Sequence, residues 1–250
     1  PLPEIVELVK SHPKARFLLV NGVGYSRSPW TLASVPSGGA LSSVSVSGAV
    51  ATLVIAEGAD APSTAVGSFT VALAQAANGV RDTLGNEAAA FAATAPADGA
   101  APVAIDVQAA NGSGTAGRID SGDVITYTFS EPMLPGSILA GWTGGVSAVT
   151  VELGDGGSND TVRVSTAGVN LGVIETGANY VRSTRTVNAT MALGGSTVTL
   201  TFTSTAARGQ LSTVASSTMT WTPSSGATDP AGNAAAATPR TQSGAPKQNF

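Results

Sequence analysis

Apolar and polar residues alternate with a period of two over most of the chain. In "DVITYTFSEPM" (123–133), Ile125, Tyr127 and Phe129 fall on one face and Val124, Thr126 and Thr128 on the other. "STVTLTFTS" (196–204) puts Val198, Leu200 and Phe202 opposite a row of threonines, and "STMTWTP" (217–223) aligns Met219 with Trp221. "APVAIDVQA" (101–109) places Val103, Ile105 and Val107 together, and "SFTVALAQ" (68–75) does the same for Phe69, Val71 and Leu73. "ARFLLVNG" (15–22) predicts a strand, and "SSVSVSGAVATLVIAEG" (42–58) one or two. "VSAVTVELG" and "DTVRVS" flank the turn "GDGGSN" (154–159) as a hairpin. Short alternating runs bounded by Gly, Asn, Asp and Pro predict strands of a sandwich or barrel. The threonines suit a pleated surface open to solvent on one side.

One segment breaks the period. "PEIVELVK" (3–10) has an apolar stripe of Ile5, Val6, Leu8 and Val9, with Pro3 at the start and Pro13 beyond the end. Proline at a first helical position and acidic residues in the first turn favour a helix here. So short a helix is marginal alone, so the expectation is that it docks on a partner through those four side chains.

An internal repeat organises the rest. "DTLGN" (82–86) and "DPAGN" (229–233) each follow an alternating run and precede an alanine-rich tail. Leu53 and Asn86 lie 33 positions apart, as do Leu200 and Asn233. Between these anchors the order of strand, Ser/Thr/Ala loop, strand and turn is shared, which favours two related domains. The Asp side chain can accept local N–H bonds, and Gly and Asn tolerate positive φ, so both motifs are expected to close turns. The expected plan is a docking element at 1–13, a divergent domain at 14–97 and a second domain at 98–250.

Composition narrows the function. There is no cysteine, so neither disulfides nor thiolate chemistry contribute. Only 11% of residues are charged, with a formal net charge of −4. A weakly acidic chain without a basic stripe is a poor nucleic-acid binder. No apolar run is long enough to span a bilayer as a helix. The start "PLPEIVELVKSHPKAR" carries acidic residues where a signal peptide would be basic. The expectation is either a signal removed before Pro1 or assembly in the cytoplasm.

Motifs that suggest chemistry have simpler explanations. "GSGTAG" (112–117) matches a dinucleotide fingerprint, but a strand pattern follows where a helix must start. His12 is the single histidine, which excludes multi-histidine metal sites and leaves a serine triad without its G-x-S-x-G elbow. Trp30, Trp142 and Trp221 fit core or rim positions better than sugar platforms. "NAT" (188–190) is a sequon with no expected use in a bacterial or phage setting. Calcium is the metal the residues fit, because it takes several carboxylate, amide and carbonyl oxygens. The loop after the second strand of a sandwich and the loop before the last lie at one end, which would bring Glu131 to Asp229 and Asn233. Turn closure explains the same residues without a metal.

"GDVITYTFSEPM" (122–133), "SILAGW" (137–142) and "DPAGN" together resemble bacterial immunoglobulin-like domains of the Big/SbsA type, over most of 102–250. Such domains occur in surface-layer, adhesin and cell-wall proteins and in phage virion proteins. The resemblance implies an all-β fold of tandem immunoglobulin-like sandwiches and a non-enzymatic role in display or adhesion. Two settings follow: a bacteriophage virion accessory protein decorating a capsid or tail, or a secreted cell-surface adhesin or cell-wall module. A carbohydrate-processing enzyme or its binding module has only the tryptophans behind it. The expected partners are capsid, tail or cell-surface proteins, with host glycans and a second copy of the chain as further candidates. No cofactor is expected apart from calcium.

Overall fold

The computed structural model describes residues 5–7, 27, 29–48, 50–77, 79–82, 84–112, 114–206 and 210–250, with 5–7 as backbone alone. The fold is all-β, and the chain divides into two compact units, Pro1–Gly99 and Ala100–Phe250.

Among the described residues, the first unit has two antiparallel three-stranded sheets. One has β4 (Val50–Ala56) between β1 (Ile5–Glu7) and β3 (Ala40–Ser47). The other has β5 (Thr70–Leu73) between β2 (Trp30–Ala33) and β6 (Phe91–Thr94). Both sheets contribute to one core: Val44, Val46, Leu53 and Ile55 from the first, Trp30, Val71 and Leu73 from the second, with Phe69 and Val80. Phe69, Val71 and Leu73 are all buried, as their alternation predicts. Trp30 meets Phe91 edge to face at 6.1 Å.

The N-terminal helix is a correction. Ile5–Glu7 is a strand, with Ile5 opposite Val54 and Val6 opposite Leu53. A short apolar run is ambiguous between helix and strand by periodicity alone. Here the backbone of Ile5–Glu7 lies beside an existing strand, and ladder pairing outweighs an isolated two-turn helix. Leu8 and Val9, His12 and the strand predicted at 15–22 lie outside the described residues.

Among the described residues, the second unit forms one antiparallel sheet of nine strands. In spatial order these are β15 (Arg240–Thr241), β14 (Thr220–Thr222), β11 (Val173–Glu175), β10 (Thr161–Val164), β9 (Ser147–Gly154), β12 (Arg185–Gly194), β13 (Thr197–Phe202), β8 (Val124–Phe129) and β7 (Ala104–Ala110). The sheet curls until its two ends meet: Arg240 Nε on β15 donates to Ile105 O on β7 at 2.7 Å. A four-residue helix, α1 (Pro135–Ile138), starts at a proline and buries Ile138.

The curled sheet encloses a single core drawn from β7 to β14. Ile125, Tyr127 and Phe129 of β8 and Val198, Leu200 and Phe202 of β13 all point into it. Trp221 sits at its centre, fully buried, with Phe129 at 4.8 Å and Tyr127 at 5.1 Å, both edge to face. Its indole N–H donates to Leu171 O at 2.8 Å, so the ring carries no unmet polar group. Phe250 forms a second aromatic node, edge to face with Tyr180 and Phe202.

Alternation fails at the start of β7. The register shifts between Ala104 and Asp106, and Val103 and Ile105 are half-buried while Val107 and Ala109 fill the core. A bulge inserts one residue and re-aims its neighbours. On the outer face, Thr128 pairs with Thr197, Thr126 with Thr199 and Thr190 with Thr201, giving an uncharged hydroxyl surface across β8, β13 and β12.

Replacing Trp221 by Ala removes the ring on which two others lean. We expect the unfolding transition of the second unit to lose about 3–5 kcal/mol in a urea titration of the full chain. An unchanged midpoint would show that the core does not depend on this residue.

Candidate functional site

The two Asp-x-x-Gly-Asn segments form the same turn. In the first, Asn86 N–H and Asn86 Nδ2 donate to the two Asp82 carboxylate oxygens, both at 2.8 Å, and the backbone closes with Asp82 N–H to Asn86 O at 2.9 Å. In the second, Asn233 N–H and Nδ2 donate to the Asp229 oxygens, again both at 2.8 Å, with Asp229 N–H to Asn233 O at 3.1 Å. Gly85 and Gly232 take φ of 85° and 95°. The bridges Arg81–Glu87 and Thr228–Ala234 then continue each pair of chains. Among the described residues of these two turns the glycines take positive φ, and the asparagines work through their amides instead.

The surroundings differ. Leu84 at the first turn's tip is 85% exposed, whereas Asp229 is fully buried. The Asn86 donors outweigh a small burial effect and hold Asp82 below the usual carboxylate range. Asp229 is covered by the segment that follows β8. Leu134 N–H donates to Thr228 O at 2.8 Å, and Ser137 Oγ accepts from Thr228 N–H at 2.8 Å while donating to Leu134 O at 2.7 Å. That segment carries Glu131, which is also buried, and its carboxylate comes within 4.8 Å of that of Asp229.

Sequence reasoning therefore named residues that meet. Glu131 and Asp229 lie side by side, and Asn233 is spent on the Asp229 carboxylate. Two carboxylates this close and out of water repel unless donors, a proton or a cation offset their charge. Asp229 has the Asn233 donors. The pair could supply at most its four carboxylate oxygens to a calcium ion, short of the six to eight that calcium takes. Of the four side chains assigned to docking, Ile5 and Val6 belong to a strand paired with β4.

Other candidate groups are committed to the fold. The "GSGTAG" loop is filled by the protein's own carboxylates: Gly112 N–H donates to Asp123 at 3.0 Å and Thr115 N–H to Asp120 at 3.1 Å. Burial, reinforced by the Asp120 charge, pushes Asp123 up against the pull of its backbone donors. In the acidic turn, Asp160 accepts from Gly156 at 3.0 Å and from Tyr180 and Val181 at 2.6 and 2.7 Å. The three tryptophans are buried, at 0–9% exposure. Trp142 borders a shallow cavity of about 260 Å³ with Leu139, Thr143 and Val146, all uncharged. The sequon Asn188 is exposed in the middle of β12. Among the described residues, no helix is long and apolar enough to cross a membrane.

Sequence reasoning missed Ser137 and Asp123, and read Asp160 only as part of an acidic turn at 154–160. Ser137 gives little warning, since its partner Thr228 is 91 residues away. Asp123 and Asp160 each stand at the start of an alternating run, where a turn must be closed, and that position was the available signal.

Comparison with known proteins gives no match: no family model fits the chain, and no curated protein or solved structure is significantly similar to it.

If turn closure is the work of Asp229, Asp229→Ala will cost about 1–3 kcal/mol by stranding buried donors, equally in calcium and in chelator. Asp82→Ala will cost less, because water can replace its carboxylate. Thermal melts of both variants under both conditions provide the check, and a loss confined to calcium would make Asp229 a metal ligand.

Proposed function

We propose that the protein is a non-enzymatic structural and display protein, a virion accessory component decorating a bacteriophage capsid or tail. The observation that carries the non-enzymatic reading is that side chains suggestive of chemistry are consumed by the architecture. Asp229 closes a turn, Trp221 fills the core, and the glycine-rich loop binds Asp123 and Asp120. What the second unit offers to its surroundings is the threonine face of β8, β13 and β12, with exposed Val146 and Leu134 elsewhere on its surface. Such surfaces support binding to other proteins. The virion setting rests on the resemblance of residues 122–133 and 229–233 to immunoglobulin-like display domains.

The test is immunogold microscopy of the producing culture with an antibody against residues 102–250. Regular label on virus-like particles is expected. Label on the cell envelope would replace this reading with a cell-surface adhesin or cell-wall module.

A further inference from the structure

The nine-stranded sheet closes on itself without a backbone ladder at its seam. Between β7 and β15 the bonds are made by side chains. Asp106 is their hub. Its Oδ1 accepts from Ser243 N–H at 2.9 Å and from Val107 N–H at 2.9 Å. Its Oδ2 accepts from Ser243 Oγ at 2.7 Å and from Gln108 Nε2 at 2.9 Å. Gln108 extends the seam: its amide donates to Ser243 O at 3.2 Å and its Oε1 accepts from Lys247 Nζ at 2.7 Å. Arg240 adds its bond to Ile105 O, and Ala236 N–H donates to Pro102 O at 2.8 Å.

We propose that Asp106 is the latch of this seam, and that neutralising its carboxylate opens β7 from β15. One carboxylate holds four donors, and bonds to a charged acceptor are the strong ones. A protonated carboxyl has fewer acceptor sites for the same donors. The strap beyond β15 stays tied elsewhere. Gln242 N–H donates to Met219 O at 2.8 Å, and Asn249 and Phe250 are fully buried. Release is therefore confined to the seam.

The charged groups of the strap at the seam are Arg240 and Lys247, while β8 presents Thr128 opposite Asp106. Burial pushes the Asp106 carboxyl up, but the Ser243, Gln108 and Val107 donors together outweigh it and hold it below its ordinary value of 3.8. A carboxyl lowered in the folded state stabilises above its unfolded value, and that contribution fades as pH falls below it. The latch is thus closed at neutral pH and opens in acid, as pH falls through the lowered folded value.

The experiment is hydrogen exchange on the full chain, comparing wild type and Asp106→Asn as protection factors at pH 7 and at steps through the acid range. At pH 7 the variant should lose roughly tenfold or more of the protection at the seam amides of Ala236 and Ser243, with 187–202 unchanged. Wild type should lose the same protection progressively as pH falls below about 4, and the variant should show no such step. Full protection of both amides in the variant at pH 7 would overturn the proposal. So would equal loss over 187–202, which would signal general destabilisation. Should Asp106→Asn fail to fold, Ser243→Ala removes one donor while keeping the charge. It should give a smaller loss at the amides of positions 236 and 243 at pH 7 that grows in acid, and no change in acid would again overturn the latch.

Discussion

The second unit depends on the contact of Trp221 with Tyr127 and Phe129. Aromatic residues make up only 5% of the chain, so few large rings are available to fill the interior of a nine-stranded sheet. Trp221 comes from β14 and its two neighbours from β8, strands far apart in the order of the sheet. The contact can form only when the sheet has curled. Edge-to-face rings add to the area that each removes from water. The indole N–H to Leu171 O bond fixes the ring's position. Tyr180, Phe202 and Phe250 repeat the arrangement elsewhere in the same core.

A second regularity concerns carboxylates. The chain has few charges, yet Asp123, Asp160 and Asp229 are buried, each accepting backbone N–H groups from a loop or turn. An unmet N–H away from water is costly, and a carboxylate can satisfy two or three at once. These aspartates do for the loops what ladders do for the strands. Glu131 enters the same interior because Leu134 and Ser137 bond to Thr228.

Much of the fold was legible because alternation is a local signal. Ile125, Tyr127 and Phe129, and Val198, Leu200 and Phe202, went where period two sent them. The Asp-x-x-Gly-Asn turns were legible because their bonds span only four residues. The misses have physical causes. Ile5 and Val6 form a strand because β4 lies beside them, which no local pattern reveals. The bulge near Ile105 disrupts an alternation that looks regular in sequence. At the site, the meeting of Glu131 and Asp229 followed from sandwich topology. Ser137, and the seam bonds from Asp106 to Ser243, join residues about a hundred or more positions apart.

The outer face of β8, β13 and β12 has a consequence of its own. Thr126, Thr128, Thr190, Thr197, Thr199 and Thr201 meet the medium through methyl groups and hydroxyl dipoles. Dissolved ions screen interactions between charges, and these six positions carry none. Contacts made through them keep their strength when ionic strength rises. The face presents the same chemistry in dilute water as in brine.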